Sequence, residues 1–180
     1  MKHLILATAL SALAFGVAAA DPELPAGAKS IVPNCDFAAP TMKPWQTSVT
    51  SGKFEFAAEE AEGAKNGKVL RITCTAPDDK GEAKIWGRAY QPVKVVKGIA
   101  YRAKVRFKTL PGFSGKFEFW IRSGNGKDAN RTLTASAKDG WRELAGRLVP
   151  GQDEAVFYLT ITKGTGTVLV DEVIVTPFEE

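Results

Sequence analysis

In Tyr101-Arg102-Ala103-Lys104-Val105-Arg106-Phe107-Lys108 every apolar residue is followed by a cation. Only an extended strand gives this pattern two coherent sides, because successive side chains leave a strand on opposite faces. One side must meet a core and the other must meet water or a polar surface. The same alternation recurs in Lys53-Phe54-Glu55-Phe56 and Val69-Leu70-Arg71-Ile72-Thr73-Cys74, and no helical period persists after Ser30. Further strands are expected at Gly115–Arg122, Arg131–Ser136, Trp141–Leu148, Val156–Thr162 and Thr167–Val175. Pro111-Gly112, Gly124-Asn125-Gly126, Asp139-Gly140, Pro150-Gly151 and Gly164-Thr165-Gly166 supply the turns between them. Ala57 to Lys65 has room for one short helical turn, limited by Gly63. The sum is about nine to eleven short strands, which suits a single all-β domain folded as an antiparallel β-sandwich.

The first 20 residues read as a signal peptide. A short polar head of Lys2 and His3 precedes an apolar run from Leu4 to Val17, and Val17-Ala18-Ala19-Ala20 offers small residues for cleavage before Asp21. Residues 21–29, with two prolines and a glycine, form an extended lead-in, and 30–180 form the domain. No later stretch is apolar enough to cross a membrane as a helix. The expectation is a secreted or periplasmic monomer.

His3 is the only histidine, and it falls in the expected leader. That removes histidine-based nucleophile pairs, histidine metal sites and the commonest general base from the mature chain. Lys2 leaves too, so 24 Lys and Arg become 23 against 20 Asp and Glu. This small excess is dispersed, with no run of like charge, and gives no reason to expect a nucleic-acid partner. Cys35 and Cys74 both lie in the exported part, where a disulfide is expected. It would close a loop of about 40 residues and add on the order of 4 kcal/mol. The alternative is two small buried residues that never meet.

An aspartate stands at each end of the domain, Asp36 in Asn34-Cys35-Asp36-Phe37 and Asp171 in Val170-Asp171-Glu172-Val173. First and last strands often pair in a sandwich, which would bring these carboxylates together. Between them the signals run in a characteristic order. Trp45 is followed by Gly67-Lys68-Val69-Leu70-Arg71-Ile72, Trp86-Gly87, Tyr90-Gln91-Pro92-Val93 and Gly98-Ile99-Ala100-Tyr101-Arg102-Ala103. Trp141-Arg142-Glu143-Leu144 and Gly166-Thr167-Val168-Leu169-Val170-Asp171-Glu172-Val173 close the set. This order, over residues 32 to 177, resembles the carbohydrate-binding modules of the family 4, 9 and 22 type. Two departures stand at the opening, Cys35 where a glycine is usual and Ala38 where a glutamate is. The resemblance implies a β-jelly-roll of the galactose-binding-like kind, non-catalytic binding of polysaccharide or oligosaccharide, and one structural calcium. Asp36 and Asp171 are its candidate ligands, needing backbone carbonyls or water to complete the shell. Two aspartates with purely local hydrogen bonds are the other reading.

Two groups of residues are candidates for the ligand. Trp86, Arg88 and Tyr90 share one face if Lys84–Gln91 is extended. They are either a sugar-facing set, with rings for C–H faces and guanidinium for hydroxyls, or core residues with Arg88 at an edge. Trp120 and Arg122 lie on the polar side of Lys116–Arg122, opposite Phe117, Phe119 and Ile121, and a tryptophan among charges is a poor core residue. Trp45 and Trp141 read as structural. The competing function is a structural or protein-binding sandwich that presents the cationic side of its strand, Arg102, Lys104 and Arg106, to an acidic partner. No carboxylate pair or tyrosine-rich signature marks an enzyme, and none is expected.

Overall fold

In the computed structural model the described residues are 29–76, 86–126 and 128–178. The expected leader, and all of the lead-in but Lys29, lie outside them. Ten strands form, all antiparallel: β1 (Gln46–Ser51), β2 (Lys53–Glu60), β3 (Lys68–Ala76), β4 (Trp86–Lys94), β5 (Tyr101–Thr109), β6 (Lys116–Arg122), β7 (Asn130–Ala135), β8 (Arg142–Leu148), β9 (Glu154–Thr162) and β10 (Gly166–Pro177). They build two five-stranded sheets, β1-β4-β9-β6-β7 and β2-β3-β10-β5-β8. Apart from the β2–β3 and β6–β7 hairpins the chain changes sheet at every step, the jelly-roll arrangement. The described residues contain no helix long and apolar enough to cross a membrane.

Alternation builds the core. Ala103, Val105 and Phe107 of β5 point inward, as do Phe117, Phe119 and Ile121 of β6 and Phe157, Leu159 and Ile161 of β9, all with essentially no exposure. Phe107 and Phe117 meet across the sheets with ring centroids 4.7 Å apart. Each such phenylalanine contributes about 1.5–3 kcal/mol relative to an exposed one. Gly87 is required by this packing, since a Cβ there would stand 2.1 Å from the Phe54 ring.

The expected helical turn at Ala57–Lys65 does not form. Ala57 to Glu60 continue β2 and pair with Arg71 to Lys68 of β3, so the ladder satisfies their backbone groups. Residues 61–67 make a turn instead, closed by the Ala61 N–H donating to the Gly67 carbonyl at 3.0 Å.

The two ends of the domain do meet. The β3 ladder on β10 stops at Val170, and the opening segment takes over the edge beyond it. Ile31 N–H donates to the Val175 carbonyl at 2.8 Å, and Val173 N–H donates to the Cys35 carbonyl at 2.7 Å. This arrangement overturns the expected disulfide. Both cysteines are free thiols, because Cys74 lies opposite Gly166 of β10 whereas Cys35 is bonded to Val173. Along a strand that separation is about 23 Å, against the ~7 Å limit between bridged Cα atoms. Burial pushes both thiols up from the ordinary value, with the Asp36 charge adding to the effect at Cys35.

Candidate functional site

The register of the first sheet assembles a row of rings on its outer face. Tyr90 of β4 pairs with Gln46 of β1 and with Tyr158 of β9; Tyr158 pairs in turn with Trp120 of β6, and Trp120 with Thr132 of β7. Odd-numbered neighbours on β6 and β9 fill the core, so these even-numbered residues face out. Tyr90 and Tyr158 are near-parallel with centroids 5.9 Å apart, and Trp120 meets Tyr158 edge-on at 6.3 Å. All three rings are partly exposed. Ser48, Arg88, Thr160, Glu118 and Thr134 form the adjacent row.

Polar groups fix this platform. Tyr90 Oη donates to Gln46 Oε1 at 2.9 Å. Trp120 Nε1 donates to Glu118 Oε2 at 2.6 Å, and Thr162 Oγ1 donates to Glu118 Oε1 at 3.0 Å, so both oxygens of that carboxylate are engaged. Arg122 lies 5.2 Å from the Trp120 ring centroid. Its guanidinium donates to the carbonyls of Ile121 and Arg131 at 2.9 and 2.7 Å and to Thr132 Oγ1 at 3.0 Å. It therefore holds β6 to β7 and braces the indole. Arg88 differs. Its guanidinium lies over the rings of Tyr158 and Tyr90, 5.1 and 5.8 Å from their centroids, and among the described residues it has no hydrogen-bond acceptor or carboxylate.

Of the residues singled out in the sequence, Arg88, Tyr90, Trp120 and Arg122 thus come together on one face. Trp86 opens β4 opposite Ser51, and its side chain lies outside what is described. Tyr158 and Glu118 were not singled out, although each carries a signal. Tyr158 alternates with Phe157 and Leu159, and Glu118 stands two residues from Trp120 on the same side.

The outer face of the second sheet answers the other candidates. The three cations singled out there, Arg102, Lys104 and Arg106, are engaged within the molecule. Arg102 is buried, with the Phe178 ring 5.1 Å from its guanidinium. Lys104 pairs with Glu143 at 3.0 Å. Arg106 pairs with Asp171 and also lies 4.4 Å from the Trp141 ring centroid. The three residues that read as a docking face in sequence are thus covered or paired in the fold. Trp45 is core, 4% exposed.

One turn ties Asp36 and Asp171 together. A bulge between Val170 and Glu172 sets Asp171 beside Arg106. Asp171 Oδ1 accepts the Lys65 N–H at 3.1 Å while Oδ2 accepts from Arg106 Nη1. Asn66 Nδ2 donates to Asp36 Oδ2 at 2.9 Å, and the Ala38 N–H to Oδ1 at 3.2 Å. A divalent cation needs six to eight oxygens. Here a guanidinium occupies the place of the positive charge on a carboxylate that is 1% exposed. Among the described residues no group of three or more His, Cys, Asp or Glu could hold a metal. This donor set does not fit calcium.

No protein-family profile matches the chain, and no curated protein matches it in sequence. Solved structures match in fold. A family 61 carbohydrate-binding module in complex with β-1,4-galactotriose superposes with a TM-score of 0.62 at 12% identity, over 83% of this chain and 99% of that one. The CBM22-1 xylan-binding domain of Paenibacillus barcinonensis Xyn10C gives 0.61 at 16%, over 85% and 97%. The enzymatically active domain of bacteriophage CBA120 tailspike protein 4 gives 0.61 at 14%, over 83% of this chain but 21% of that one. The β-sandwich is thus that of carbohydrate-binding modules, including the 4 and 22 types whose motif order the sequence resembles.

Proposed function

We propose that this chain is an exported, non-catalytic carbohydrate-binding protein that holds a polysaccharide or oligosaccharide along the outer face of its first sheet. The observation that carries the reading is the Tyr90–Tyr158–Trp120 row, three rings in register across adjacent strands, the outer two braced by hydrogen bonds and the central one packed between them. A ring face offers a pyranose a flat apolar surface for its C–H side, and it costs little ordering when the ring is already fixed. Thr132 and Thr134, both exposed beside the rings, supply hydroxyls that can donate to or accept from sugar hydroxyls. Xylan and galactotriose appear in the names of the similar structures, which supports the ligand class. The leader-like residues 1–20 support export. The loss of histidine with that leader, and the engagement of both Glu118 oxygens on the platform, support a non-catalytic role.

The test is a glycan array on the purified protein followed by titration calorimetry on the hits, with Tyr158→Ala and Trp120→Ala alongside. Binding that falls at least tenfold in both variants, while their melting stays cooperative, is the expected result. Loss of stacking on one base-sized ring costs about that much. Binding that survives both substitutions, or release of new reducing ends from the hit glycan, refutes the reading.

A further inference from the structure

Arg88 differs from the other arginine of the ring row, Arg122. Arg71, Lys104, Arg106 and Arg131 are each paired with a carboxylate, and Arg122 is consumed by backbone carbonyls. The Arg88 guanidinium meets two ring faces and, among the described residues, nothing that accepts a hydrogen bond. Its N–H groups point outward in the guanidinium plane, and the rings beside it cannot accept them in that plane as a carboxylate would. Desolvation against two tyrosines sharpens the preference of that edge for a charged acceptor. The carboxylate on the same face, Glu118, lies two strands away with Thr160 between them, about 9.5 Å across the sheet. Its oxygens are already taken by Trp120 and Thr162, and it does not reach Arg88.

We infer that Arg88 sets the specificity of this face, and that the preferred ligand is an acidic glycan carrying a uronate carboxylate. The inference rests on the sugar-platform reading above and deepens it. A uronate places its carboxylate at the rim of the pyranose ring, leaving a C–H face to stack. The platform offers the same pair of chemistries side by side, rings at Tyr90 and Tyr158 and an unspent bidentate donor beside them. A neutral hexose or pentose satisfies the rings but leaves that fork without an anion. Charge-assisted, two-pronged pairing is the strongest contact available to a guanidinium. On the second sheet Arg102 is buried under Phe178, and Lys104 and Arg106 are paired with carboxylates, so these three offer no comparable donor.

The probes are a tetra-galacturonate and a neutral β-1,4-galactotetraose, titrated calorimetrically into the full purified protein at low and high salt. The acidic ligand is expected to bind about tenfold to a hundredfold tighter than the neutral one, with affinity that falls as salt rises. Arg88→Met should collapse that ratio to near unity, and Arg88→Lys should recover only part of it, since an ammonium lacks the planar fork. Melting curves confirm that both variants fold. Equal affinity for the two ligands, or a ratio that survives Arg88→Met, overturns the assignment while leaving the platform standing. Binding of neither ligand and of no glycan on the array overturns both.

Discussion

Asp171→Asn tests whether the ends of the domain are joined by an internal guanidinium–carboxylate pair. The substitution keeps the volume, and the amide oxygen can still accept the Lys65 N–H that now lies 3.1 Å from Oδ1. Only the charge opposite Arg106 is removed. Asp171 is 1% exposed at its side chain and Arg106 17%, so the guanidinium cannot simply turn into water. It keeps one carbonyl, that of Gly63 at 3.2 Å, and the Trp141 ring at 4.4 Å. Removing one partner of a buried pair costs about 3–5 kcal/mol. Those two remaining contacts place this case at the low end, about 3 kcal/mol. With a urea slope of about 2 kcal/mol/M, the midpoint should fall by roughly 1.5 M at unchanged slope. Arg106→Met combined with Asp171→Asn should recover most of the loss, because an apolar replacement of the whole pair is often neutral. A midpoint shift below about 0.3 M would show that water reaches the pair and would refute the burial argument. Stabilisation of the wild-type chain by calcium, lost in Asp171→Asn, would refute it differently, since the carboxylate would then be serving a cation other than Arg106.

Three further outcomes follow from the packing and the site. Gly87→Ala should destabilise by about 1–3 kcal/mol in thermal or urea unfolding, because its new Cβ would stand 2.1 Å from the Phe54 ring and force β2 away from β4; Gly87→Ala with Phe54→Leu should recover part of the loss. Mild oxidation should leave the monomer mass unchanged, with no internal bridge between Cys35 and Cys74, and a bridged monomer would sink the placement of the opening segment on β10. Both folded thiols titrate above their ordinary 9.0, so stability tied to them is full below that value and declines as pH rises beyond it toward the raised values; urea midpoints that fail to drop across that alkaline window contradict the sign. Tyr158→Ala should cost binding far more than stability, because its ring lies on the solvent side of β9, and calorimetry beside melting separates the two.

The alternation in Tyr101–Lys108 fixes which residues of β5 face the core, because period 2 belongs to the single strand and needs no partner. It says nothing about what lies across the sheet. That is why the cations at 102, 104 and 106 read as a docking face in sequence, whereas Phe178, Glu143 and Asp171, all distant in the chain, cover or neutralise them in the fold. The disulfide fails for the same reason. Cys35 and Cys74 both lie against β10, yet at Val173 and Gly166, seven residues apart, and only the ladder register carries that distance. On the first sheet the same ignorance of neighbours hid Tyr158. As a lone tyrosine between Phe157 and Leu159 it is unremarked, but β9 is the central strand, and its outward residues necessarily lie between those of β4 and β6. Any ligand that touches both Tyr90 and Trp120 must therefore cross Tyr158, so a central-strand substitution should weaken binding to every glycan the face accepts, whereas Arg88, on the flanking strand, is placed to choose among them.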